Sequence, residues 1–144
     1  MFTLFDAFCR FTLVPLLLRA GLAAIFIYHG LDMVQKDGGA GWNPSLSRPE
    51  QLAVAWGELL GGIALALGLL TRLAAFGIAV IMAGAIYKVH WAYGFNILAG
   101  RAEGAPGGWE YNFLIIVVCV AVMLLGPGNV AVDRFFRFRR KPAA

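Results

Sequence analysis

Charge is scarce in this chain. Only 14% of its 144 residues are Asp, Glu, Lys or Arg, against about 25% in an ordinary soluble domain. With 60% hydrophobic residues and a mean hydropathy of +0.76, the shortage points to a membrane protein before any motif is read. Cysteine is scarce too. Cys9 and Cys119 lie far apart, with no C-x-x-C and no metal-type spacing, which argues against a thiol relay or a structural zinc site. Both read as apolar fillers. No nucleotide, haem or metal motif, internal repeat or low-complexity tract is recognisable, so no metal site is expected. The net charge of +4 is modest, and Arg134, Arg137, Arg139, Arg140 and Lys141 crowd the C-terminus. A basic segment directly after an apolar span reads as an orientation signal, and no nucleic-acid partner is expected.

What is present is apolar and rich in glycine. Four segments of about the length that crosses a ~30 Å hydrocarbon core stand out, at 13–34, 51–70, 73–93 and 109–125. The eighteen glycines suit membrane helices, where glycine is more frequent than in soluble ones. The expected fold is an all-α, antiparallel bundle of four transmembrane helices in a single domain, 1–144. Thr12 and Thr71 are candidate caps for the first and third spans, with Pro15 in the opening turn of the first. The few residues around "GLLTR" imply a hairpin between spans two and three, and "GPG" (126–128) stops the fourth. The first apolar run is too long for a typical signal-peptide core. Phenylalanines at 2, 5, 8 and 11 suggest a short helix lying in the interface.

Counting Lys and Arg near the span ends gives an orientation. Arg10, Arg72 and the five tail cations fall on one side, and Lys36, Arg48 and Arg101 on the other. The excess places both termini and the tail, 134–144, in the cytoplasm. Two loops then face outward. Both are rich in Gly, Pro and Asn, and the second, "NILAGRAEGAPGG", could act as a lid.

At about 1.5 Å per residue, this orientation brings polar groups from four helices to one outer layer: His29, Glu58, Lys88 with His90, and the Glu110-Tyr111-Asn112 start of span four. Arg19 lies in the inner half, where it can stabilise the bundle or counter a buried charge. All four tryptophans and all four tyrosines fall on the outer side, as an aromatic belt or as the lining of a pocket. Glu58 should face the bundle interior, because an ionised carboxylate facing lipid costs several kcal/mol. Gly57 and Gly61 form a G-x-x-x-G, and Gly61, Gly62 and Leu65 share the Glu58 face. Glu58 is either ionised and paired with Lys88, His29, His90 or Arg19, or protonated. His29 and Asp32, three apart, share a face and can act together.

Three stretches carry a resemblance: "RAGLAAIFIYHGLDM" (19–33), "ELLGGIALALGLLTRLAA" (58–75) and "GGWEYNFLIIVVCVAVMLLGPGNVAVDR" (107–134). The chain resembles the DoxX family of small four-helix bacterial membrane proteins. Relatives often carry a lysine shortly after the His-Gly of the first span; here Asp32 and Met33 occupy that region and Lys36 comes later. The resemblance implies the bacterial inner membrane. It links some relatives to thiosulfate:quinone oxidoreductase subunits and others to oxidative-stress and thiol-redox proteins, and it leaves enzymatic activity open.

The expected function is therefore a membrane subunit holding a quinone-like or small redox-active ligand near the outer face. Glu58 and His29 would meet its polar head, with Lys88 and His90 beside them. Tyr28, Trp56, Tyr87, Trp91 and Trp109 would supply stacking surface. Quinone is the cofactor this reading suggests. Expected partners are the bilayer, redox enzyme subunits or other membrane proteins, and a second copy of the chain. The alternatives are a scaffold for partner proteins and a small transporter or proton path through Arg19 and Glu58.

Overall fold

The computed structural model describes residues 3–100 and 104–138. Among them are six α-helices and no strand: α1 (Leu4–Phe8), α2 (Val14–Val34), α3 (Arg48–Leu67), α4 (Thr71–Ala85), α5 (Glu110–Leu125) and α6 (Val132–Phe138). Three helical stretches among these residues are long and apolar enough to cross a membrane: Leu4–Val34, Arg48–Leu67 and Thr71–Tyr93. α5 has 16 residues, a length of about 24 Å. Arg101 and the tail residues Arg139, Arg140 and Lys141 lie outside the described residues, as does Phe2.

Each of the four longer helices buries one narrow stripe at alternating spacings of three and four, the period of a helix–helix seam. On α2 the stripe is Pro15, Arg19, Leu22, Phe26, Gly30 and Met33. On α3 it is Gln51, Ala55, Glu58, Gly62 and Leu65. α4 contributes Thr71, Ala75, Ile78 and Met82, and α5 Asn112, Ile115, Cys119 and Val122. α2 packs on α3 and α5, and α4 packs on the same two helices. α3 and α5 therefore stand diagonally across the core. Large apolar side chains such as Leu17, Leu60, Leu73 and Leu114 point outward, a surface suited to lipid rather than water.

Glycine sets the tightest approach. A β-carbon on Gly30 would lie 2.5 Å from the Leu59 amide nitrogen, and one on Gly62 would lie 2.8 Å from that of Ile27. α2 and α3 thus touch backbone to backbone. Gly57 and Gly61 do a different job: they face the Ile81 and Ile78 side chains of α4.

The chain start corrects one expectation, the cap at Thr12. Thr3 caps the first helix, its hydroxyl accepting from the Asp6 amide at 3.2 Å while the Asp6 carboxylate accepts from the Thr3 amide at 2.9 Å. One π-helical turn, Cys9–Leu13, then joins α1 to α2, so the N-terminal segment runs on into α2 as one helical stretch. Thr12 lies inside that turn, and its hydroxyl accepts from Asn129 Nδ2 at 2.8 Å. Pro15 supplies a reason for the irregular turn. It has no N–H for the Phe11 carbonyl four residues back, and that carbonyl accepts the Asn129 amide at 2.8 Å instead.

The α3–α4 connection is held from a distance. Gly68, at φ 69°, ends α3 in the left-handed conformation. Asp133 then reaches back 63 and 62 residues, its carboxylate accepting from the Leu70 amide at 2.7 Å and the Thr71 amide at 2.9 Å. Thr71, expected as the cap, is instead the first residue of α4. The cap is the carboxylate, which also suits the positive end of the helix dipole.

Arg19 closes the same end of the molecule. It is 2% exposed, and all its hydrogen bonds go to backbone carbonyls. Nε donates to Leu65 at 2.9 Å, Nη2 to Ala66 at 3.1 Å, and Nη1 to Pro127 and Val130 at 2.7 Å each. The guanidinium bonds carbonyls at the end of α3, where Leu65 also accepts from the Gly68 amide at 3.2 Å, and ties them to the Gly-Pro-Gly loop.

Candidate functional site

The other end of the core holds a cavity of about 500 Å³. On α2, His29 is ten residues beyond Arg19, roughly 15 Å along the axis. The end of α2, the first half of α3, the end of α4 and the start of α5 all reach the cavity, and the two loops 37–47 and 94–109 add to its wall.

Glu58 is its most enclosed ionisable group, at 6% exposed. The α3 seam puts it there: Ala55 and Gly62 lie one turn to either side on the same buried stripe. No described residue forms a hydrogen bond or ion pair with its carboxylate. The partners expected for it are engaged elsewhere. Arg19 is at the far end, and Lys88 pairs with Glu50. His90 Nδ1 donates to the Gly107 carbonyl at 2.8 Å, which leaves Nε2 for another partner. His29 lies on the cavity wall with its ring edge-on to Tyr28 at 5.5 Å. Asp32 is paired with Lys36 at 2.6 Å and not with His29.

Local structure explains how α4 delivers two polar groups. Its regular turns give way to a π-helical turn over Ile86–His90, which changes the phase of the helix and is frequent at functional sites. Lys88 and His90 then reach the cavity, while Tyr87 and Trp91 are exposed.

The aromatic residues divide. Tyr28, Trp56, Tyr87, Trp91 and Trp109 do not line the cavity. Trp56 Nε1 instead donates to the Gly38 carbonyl at 3.0 Å. Trp91 stacks on Trp109 at 6.2 Å, and Phe95 sits edge-on to Trp109 at 4.7 Å, a cluster beside the cavity. Trp42 and Tyr111 do line it.

The loops that roof the site are built on backbone hydrogen bonds. Gln51 Oε1 accepts from the Trp42 and Asn43 amides at 3.2 Å each, and its Nε2 donates to the Leu46 carbonyl at 2.9 Å. The base of the second loop is pinned where the Gly108 amide meets the Asn96 carbonyl and the Trp109 amide meets the Gly94 carbonyl, both at 3.0 Å. A β-carbon on Gly108 would collide with those same two carbonyls, so only glycine fits.

Two residues of this end, Glu50 and Gln51, were not singled out from the sequence. Glu50 is legible as the fourth residue of a capping box begun by Ser47, and its carboxylate accepts from the Ser47 hydroxyl at 2.7 Å. Gln51 has only its phase as a signal, since it falls on a buried stripe, and Asn112, named from the sequence with the outer polar layer, falls on the stripe of α5. Among the described residues, no three His, Cys, Asp or Glu side chains converge as a metal site.

The stretch that forms most of this architecture, residues 14–91, matches the DoxX family model. The chain belongs to the DoxX family. Two curated DoxX-type relatives align over nearly its whole length. A Bacillus subtilis (strain 168) protein named "Putative oxidoreductase CatD" is 30% identical, covering 87% of this chain and 88% of its own. An "Uncharacterized protein" of Haemophilus influenzae (strain ATCC 51907 / DSM 11121 / KW20 / Rd) is 32% identical, covering 83% of this chain and 89% of its own. No solved structure matches significantly. The DoxX match spans Glu58, Lys88 and His90 but ends before α5.

Proposed function

We propose that this DoxX protein is a four-span antiparallel subunit of the bacterial inner membrane, with both termini cytoplasmic, that binds a quinone-like or other small redox-active ligand at its outer end. One observation carries the reading: a largely apolar cavity of about 500 Å³ encloses a carboxyl group, Glu58, that has no partner among the described residues. The volume falls within the range of small-molecule sites, which typically combine apolar walls with a few polar groups. A carboxyl group can donate to a ligand carbonyl or accept from a ligand hydroxyl according to its protonation, so it can serve both forms of a quinone/quinol pair. His29 and the free Nε2 of His90 are further groups for a polar head. The relative named as an oxidoreductase agrees with a redox setting.

Arg19 is committed to four backbone carbonyls, which favours a structural role over a mobile step in a proton path. Redox enzyme subunits and a second copy of the chain remain the partners this reading suggests.

The test is mass spectrometry of the organic extract from protein purified in mild detergent, beside Glu58→Gln. The expected result is a stoichiometric quinone or similar molecule that is lost or strongly depleted in the variant. Empty extracts from both proteins, with unchanged folding, would favour the scaffold reading.

A further inference from the structure

Asn112 is 7% exposed and lies on the buried stripe of α5. It lines the same cavity as Glu58. Its Nδ2 donates to the Met82 sulfur at 3.5 Å, and a thioether is a weak acceptor. No described group bonds its Oδ1 or gives Nδ2 a second partner. An amide can make four hydrogen bonds, and leaving that capacity unused in a buried position costs stability.

The other buried polar groups of the molecule with strong partners make the contrast. Gln51 uses both ends of its amide on loop backbone, and Arg19 uses every nitrogen. Thr71 Oγ1 is buried without a partner, but it sits at the Arg19 end, away from any cavity wall named above. Asn112 and Glu58 share three properties: burial, unused hydrogen-bonding capacity and the same cavity. They come from α5 and α3, which stand diagonally across the core.

We infer that Asn112 is a second polar contact of the ligand site, so that the cavity takes a ring-shaped apolar molecule bearing an oxygen acceptor, gripped from two opposite walls. The inference rests on the ligand reading given above and adds a residue to it. Glu58 can change its proton count, whereas the amide cannot. Asn112 therefore offers the same donor and acceptor whatever the protonation of the site, and it acts as the constant anchor.

The experiment measures equilibrium binding of decylubiquinone and of decylbenzene to the full chain in lipid nanodiscs, for wild type and Asn112→Leu. The two probes share a decyl tail, and decylubiquinone adds the quinone and methoxy oxygens and a ring methyl that decylbenzene lacks. Losing one hydrogen bond should weaken decylubiquinone about tenfold and leave decylbenzene unchanged or tighter. Equal weakening of both probes would show a packing role and overturn the inference, as would unchanged decylubiquinone binding. Asn112→Ser and Asn112→Ala provide a second pair of similar volume should the leucine variant not fold. Serine should bind decylubiquinone several-fold more tightly than alanine, and equal affinity would overturn the inference. Wild type that binds neither probe would overturn the ligand reading itself, a result distinct from any failure of Asn112 alone.

Discussion

Arg19 Nε donates to the Leu65 carbonyl at 2.9 Å across 46 residues of sequence. This bond, with its three companions, makes a cation the fastener of an apolar core. It joins the end of α3 to the loop after α5, next to the place where Asp133 caps α4.

Arg19→Lys should therefore be strongly destabilising although it keeps the charge. An ammonium is a compact donor on a flexible stem and cannot reproduce the planar fork that reaches four carbonyls. With about 1.5–3 kcal/mol for each hydrogen bond to a charged group, loss of two would cost roughly 3–6 kcal/mol. Thermal unfolding in detergent, followed by circular dichroism, reads this as a marked fall in Tm. A Tm equal to wild type would show that the carbonyls are satisfied without the guanidinium.

Two glycines on different helix faces should respond oppositely to alanine. A β-carbon on Gly30 would press into the Leu59 backbone, whereas one on Gly77 meets nothing within 4 Å. Gly30→Ala must force α2 and α3 apart. Gly77→Ala should be neutral or stabilising by up to about 1 kcal/mol, through helix propensity. Tm in the same detergent separates them, and a neutral Gly30→Ala would mean that the two helices pack less tightly than described.

The Glu50–Lys88 pair lies on the cavity wall with both side chains partly exposed. Exposed pairs contribute little to stability, so Lys88→Met should leave Tm nearly unchanged. Its effect should fall on exchange instead. Stopped-flow quenching of the cavity aromatics by decylubiquinone should show faster exchange in Lys88→Met, by at most about fivefold. Added salt should speed wild type towards the same rate. Identical rates at all salt concentrations would show that the pair has no influence on exchange.

The four apolar helices were legible in the sequence because hydropathy is a local property. α3 begins at Arg48 rather than 51 and α4 at Thr71 rather than 73, differences of two or three residues. The burial of Glu58 was legible for the same reason: Gly62 and Leu65 repeat at helical spacing on its face. The caps and pairings were not. Thr12 and Thr71 have the right chemistry for caps, yet the amides at the start of α4 are served by a carboxylate 62 residues away. Lys88 was expected as a partner for Glu58, and it pairs with Glu50 instead, at the π turn that ends α4.

By itself, then, the sequence determined that this is an apolar, all-helical DoxX chain with Glu58 on a buried helix face. Only the tertiary structure decided which of those groups are spent and which are left over. Arg19, Lys88 and Gln51 are consumed by partners supplied from other segments. Glu58 and Asn112 meet across a cavity with most of their capacity unused. The physical reason is that a hydrogen bond is settled by distances of about 3 Å between atoms, and for these groups such distances are created by packing between helices rather than by spacing along one.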